Sequence, residues 1–132
     1  LGDVYKRQAL AQLCHAELVA LQVVPRYPQS YFDGGIALAA DDIKKVEKSW
    51  GDAAQAVVDA VKKTATAKGV KAKAVVVRSD LVADAIQSTA KKQQCDLIVM
   101  ASHGRKGIKR LLLGSETQHV LTHGSTPVLV LK

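Results

Sequence analysis

Four short apolar runs, separated by segments of a different period, constrain this chain more than any other feature. They are ELVALQVV (Glu17 to Val24), AKAVVVR (Ala72 to Arg78), DLIVMAS (Asp96 to Ser102) and PVLVL (Pro127 to Leu131). Each is strand-sized and rich in branched residues, and each is far shorter than the roughly 20 residues a membrane-spanning helix needs. Pro25 closes the first, because it offers no N–H to a sheet. DLIVMAS is apolar almost throughout, the pattern of a strand covered on both faces.

The intervening segments follow a helical period. Ile43, Val46, Trp50, Ala53, Val57 and Val61 recur at spacings of three and four, predicting an amphipathic helix from Ile36 to about Lys68 that Gly69 ends. Asp80 is a good N-cap for a helix with the apolar face Val82, Ala85, Ile86 and Ala90, and Ser115 for a short one from Glu116 to His123. A helical remnant, ALAQLCHA, begins at Ala9. Strands alternating with helices in this way build a parallel sheet with helices on both sides, an α/β fold of the open, Rossmann-like kind. Ligands in such folds lie beyond the carboxyl ends of the strands.

One soluble domain fits 132 residues that are 48% hydrophobic and 4% aromatic, with a core of Val, Leu, Ile and Ala. No basic patch, apolar core and cleavage site stand in order at the front, so the expected compartment is the cytoplasm, with no membrane partner. Cys14 and Cys95 do not form a disulfide framework and are expected to be reduced, packing thiols. The net charge of +7 comes mainly from lysines spread over helix faces without interleaved aromatics, which argues against a nucleic-acid partner.

The exception is ASHGRKGIKRLLLGS, Ala101 to Ser115, where Arg105, Lys106, Lys109 and Arg110 crowd between glycines directly after the third run. Glycines let backbone approach a ligand closely, and the first turn of a helix offers unpaired N–H groups at a positive dipole end. Gly104, Gly114 and Ser115 therefore read as a phosphate cradle, with His103 beside it. The stretch is neither a Walker loop nor GxGxxG. His119 and His123 stand one helical turn apart but have no third ligand near in sequence, so no metal site is expected. His103 has no Ser or Cys partner, and no catalytic residues are assigned.

From Asp96 to Lys132 the sequence resembles the C-terminal signature of the universal stress protein family, and the order of elements matches from about Ala9 to the end. The nucleotide-binding branch carries Gly, two residues, Gly, nine residues, Gly, then Ser or Thr. Gly104, Gly114 and Ser115 match, and Ala101 stands where the first glycine belongs. The resemblance implies a fold like the adenine nucleotide α-hydrolases, with five parallel strands in the order 3-2-1-4-5. It further implies ATP, with Mg accompanying it, held by Val23, Val24, Ala101, His103, Gly104, Gly114, Ser115 and Glu116. A non-enzymatic regulator with at most weak hydrolysis follows, forming a homodimer through Pro127 to Leu131. Two alternatives are a dimeric signalling or scaffold member with an empty pocket, and an adenylating enzyme of a related fold.

The family's first, central strand, which ends in an aspartate, has no counterpart before Ala9. LGDVYKRQ does not resemble the family; Asp-Val-Tyr-Lys-Arg-Gln is the translation of a transposon-end adapter, GAT GTG TAT AAG AGA CAG. Residues 1–8 are therefore expected to be a non-native scar ahead of a truncated domain, 9–132. The strands ending at Val24 and Ser102 are expected to lack the neighbour that satisfies both their backbones, leaving the chain poorly stable.

Overall fold

The computed structural model describes residues 2–27, 39–102 and 113–132. Its elements run α1 (Gly2–Leu13), β1 (Leu18–Val24), α2 (Ala40–Ala67), β2 (Ala72–Arg78), α3 (Val82–Lys92), β3 (Ile98–Ala101), α4 (Ser115–His123) and β4 (Val128–Leu131). This is the expected alternation. The helix at the front begins at Gly2, so it passes continuously through residues 2–8, and the Gln8 side chain is buried.

The four strands form two parallel pairs. β1 lies beside β2 in the register Leu18↔Ala72 to Val24↔Arg78, and β3 beside β4 from Ile98↔Val128 to Ala101↔Leu131. With β1 to β4 taken as the second to fifth strands of the family order, these are the neighbours that 3-2-1-4-5 requires. The pairs are not hydrogen-bonded to one another, so β1 and β3 each keep one edge unpaired among the described residues. All four residues of β3 are half-buried, which corrects the expectation of a strand covered on both faces. With a neighbour on one side only, its apolar run stays partly open to solvent.

α2 packs on both β1 and β2, whereas α3 lies against β1 and α4. The seam of α2 is rotated from the expected face: Ala54, Val58 and Ala65 are buried, while Ala53 and Val57 are exposed. The sequence carries apolar residues at both 53/54 and 57/58, so spacing alone could not choose between them. α2 also starts at Ala40 rather than Ile36, because Ala39 is extended (φ −59°, ψ 147°). On α3 the buried residues are Ala83, Ala85, Thr89 and Ala90, with Val82 and Ile86 half-buried, because this helix serves two neighbours.

Both assigned side-chain caps need correcting. Leu81, not Asp80, is the N-cap of α3, and Asp80 instead accepts the Arg26 N–H at 2.8 Å. Gly114 is the N-cap of α4, and Ser115 is its first helical residue and makes no capping bond. Cys14 is likewise exposed just beyond α1 rather than packed, whereas Cys95 is half-buried and both thiols are free.

Three helices end in the same hydrogen-bonded turn. After α2, Val70 N–H reaches Ala65 O and Gly69 N–H reaches Thr66 O, with Gly69 left-handed at φ 77° as expected. His15 (φ 51°) and Gln94 (φ 55°) occupy the same position after α1 and α3, where an L side chain is strained. Gln94→Gly is therefore expected to stabilise the chain by about 1 kcal/mol. The check is a higher urea midpoint with an unchanged slope.

Among the described residues no helix is long and apolar enough to cross a membrane.

Candidate functional site

The carboxyl end of β3 is tied to β4 by one bond and to the start of α4 by two. Ser102 N–H reaches Leu131 O at 2.8 Å, Gly114 N–H reaches Ser102 O at 2.9 Å, and Thr117 Oγ1 donates to Ala101 O at 3.1 Å. The second of these holds the residue before α4 beside the end of β3. Thr117 is buried and its bond holds the first turn of α4 against the last residue of β3. Sequence reasoning missed this residue; a threonine in a first helical turn gave no sign of its partner.

The bonding changes which groups face a ligand. Gly114 spends its own N–H on Ser102, so the donors left free by helix geometry are those of Ser115, Glu116 and Thr117, ahead of the first intrahelical bond, Gln118 N–H to Gly114 O. No side chain caps them. Ser115 and Glu116 are exposed, and Gly114 and Ala101 half-buried. The Glu116 carboxylate would repel a phosphate directly, so its contribution to an anion is its backbone N–H, with a bridging cation needed to use the side chain. These first-turn donors at a positive dipole end fit a phosphate or another anion.

Ala101, Gly114, Ser115 and Glu116 are thus brought together. Val23 and Val24 belong to the other strand pair, where Val24 is buried and its carbonyl accepts Ser79 N–H at 2.9 Å. His103, Gly104 and the basic residues Arg105, Lys106, Lys109 and Arg110 lie outside the described residues.

A groove of about 590 Å³, lined by Asp84, Gln87, Lys91, Cys95 and His123 among others, sits where β3 and β4 begin, at the opposite end from this cradle. Burial first, and then the neighbouring Asp96, push the Cys95 thiol above its ordinary value and keep it protonated. Gln87 donates to Val120 O at 2.8 Å and packs over Gly124, where a Cβ would overlap its amide. The groove thus includes a bond that joins α3 to α4. His119 and His123 pack edge to face at 4.2 Å, and no group of three metal-ligating side chains occurs among the described residues.

An α/β chain of parallel strand pairs, with the carboxyl end of β3 tied to the uncapped start of α4, defines a Rossmann-like protein. The chain belongs to the universal stress protein family, whose family model matches residues 6–132. It is 38% identical over 78 residues to universal stress protein MJ0531 of Methanocaldococcus jannaschii, covering 59% of this chain and 45% of that protein. Universal stress protein MJ0577 of the same organism is 36% identical over 72 residues, or 54% and 44% of the two chains. These matches span less than half the length of either relative. The solved structure of MJ0577 superposes with a TM-score of 0.71 at 26% identity, covering 98% of this chain and 85% of that one. A universal stress protein solved in complex with cAMP superposes at 0.59 with 23% identity, over 98% and 84%.

Proposed function

We propose that this chain is a nucleotide-binding regulator of the stress response, with ATP phosphates, accompanied by Mg, held at the loop from Ser102 to Ser115. The observation that carries this reading is the uncapped first turn of α4, fixed against β3 by Thr117 and by the Gly114 to Ser102 bond. A universal stress protein of the same fold was solved in complex with cAMP, which supports an adenine nucleotide as the class of ligand. Half-buried Val23, near the end of β1, supplies apolar surface suited to a base, and Ser115 and Glu116 supply backbone donors to phosphate.

The reading is one of binding and regulation in the cytoplasm, not of catalysis. A homodimer through β4 accompanies it, supported by the outer edge of that strand, which is unpaired among the described residues, and by exposed Leu129. The second reading, a dimeric scaffold with an empty pocket, is favoured by Ala101, whose methyl group stands where the nucleotide-binding branch has glycine.

Calorimetric titration with MgATP separates the two. The nucleotide reading expects saturable heat with a Kd on the order of 10 μM, about −7 kcal/mol. No saturable heat, together with a dimer in sedimentation, would replace it with the scaffold.

A further inference from the structure

We infer that Glu47 is a positioning residue that clamps the chain as it leaves β1 and fixes the β1–β2 side of the ligand-bearing end; that it serves a nucleotide rests on the function proposed above. Glu47 lies on α2, far in sequence from either strand it holds. Its Oε1 accepts the backbone N–H of Tyr27 at 2.9 Å, and its Oε2 takes Arg78 Nη1, at the end of β2, at 2.9 Å. Arg78 Nη2 also donates to the Glu47 carbonyl at 2.8 Å. One carboxylate therefore joins the exit of β1, the end of β2 and the covering helix.

The surroundings are built for this. Gly51, one turn along α2, lies beside the guanidinium, and a Cβ there would make ordinary contact with Arg78 Nη2 at 3.5 Å. Glu47 is only 20% exposed and Arg78 40%, so the pair is partly shielded from water, and the guanidinium meets Glu47 at two points, its carboxylate and its backbone carbonyl. Arg26, one residue before Tyr27, is held in the same manner by Asp80, which follows β2 by two residues. Consecutive backbone N–H groups are thus tied to two carboxylates from different elements, and the Tyr27 ring stacks on Trp50 at 6.1 Å and 22°. Arg26 and Tyr27 begin the connection that leaves β1. Held at its base, it presents the carboxyl end of β1, including Val24, in one geometry, which lowers the ordering cost of binding.

Trp50 is the only tryptophan, so its fluorescence reports on this clamp directly. The experiment measures Tyr27 amide exchange, acrylamide quenching of Trp50 and MgATP affinity in the whole chain and in Glu47→Ala and Glu47→Gln. Glu47→Ala removes both acceptors and is expected to speed Tyr27 exchange about tenfold, raise Trp50 quenching and weaken ATP about tenfold. Glu47→Gln keeps an oxygen for Tyr27 and loses only the charge, so both effects should fall to about threefold. Wild-type exchange and quenching in Glu47→Ala overturn the clamp. Should that variant lose its circular dichroism, wild-type values in Glu47→Gln overturn it instead. If the unaltered chain binds no MgATP, the nucleotide reading falls, and the exchange data still decide the clamp.

Discussion

Gly114→Val is expected to abolish ATP binding while leaving the fold in place. Gly114 has φ −59° and ψ 147°, a conformation open to any L-residue, so valine brings no backbone strain. Its N–H still reaches Ser102 O, so α4 stays beside the end of β3. What changes is the space in front of the first turn, where the N–H groups of Ser115, Glu116 and Thr117 must meet an anion at hydrogen-bond distance. A branched side chain at the N-cap screens them. Losing two charge-assisted bonds at about 2 kcal/mol each predicts an affinity loss of several hundredfold or more. Titration calorimetry reads this, and circular dichroism confirms that the fold persists. Unchanged affinity would remove the helix start from the site. Ser115→Ala sharpens the test: the hydroxyl makes no cap, so stability should move by less than about 0.5 kcal/mol, and any lost affinity belongs to contact with the ligand.

The elements themselves were legible because period separates them. β2 was read to the residue, the end of α2 was marked by Gly69, and Pro25 closed β1 within one residue. The two capping errors share one cause, which is that short-range rules compete with distant partners. Asp80 and Ser115 have the chemistry of N-caps. Yet Asp80 is taken by Arg26, and Ser115 sits one place inside its helix because Gly114 is drawn to Ser102. Glu47 was invisible for the same reason, lying among charged residues on a helix whose spacing gave no hint of Tyr27 or Arg78. Of the cradle, Gly114 and, to within one residue, the start of α4 were readable from composition and order, and Gly104 lies outside the described residues. Thr117 was not, because a hydroxyl bond to a strand carbonyl depends on packing alone.

These 132 residues are expected to melt early and broadly, with a midpoint below about 45 °C, beneath the usual range for mesophilic domains. Ten apolar residues are fully buried among those described, and they are six alanines and four valines. An alanine methyl contributes about 0.8 kcal/mol on burial, against about 1.5–3 kcal/mol for a leucine or phenylalanine. The core cluster of Ala11, Ala65 and Val70 is therefore weak for its size, and half-buried Leu18 does little to deepen it. Two separate two-stranded ladders are marginal units, and the open edges of β1 and β3 invite association. Gln8 adds a specific penalty: its Nε2 reaches Val61 O only at 3.4 Å, and its buried Oε1 has no partner among the described residues. An unmet acceptor of this kind costs about 1–3 kcal/mol, so Gln8→Leu is expected to raise the midpoint by several degrees. Scanning calorimetry of both chains, with dye binding to exposed apolar surface, checks the claim. A single sharp transition above about 65 °C in the unaltered chain would mean that contacts beyond these ladders hold the two halves together.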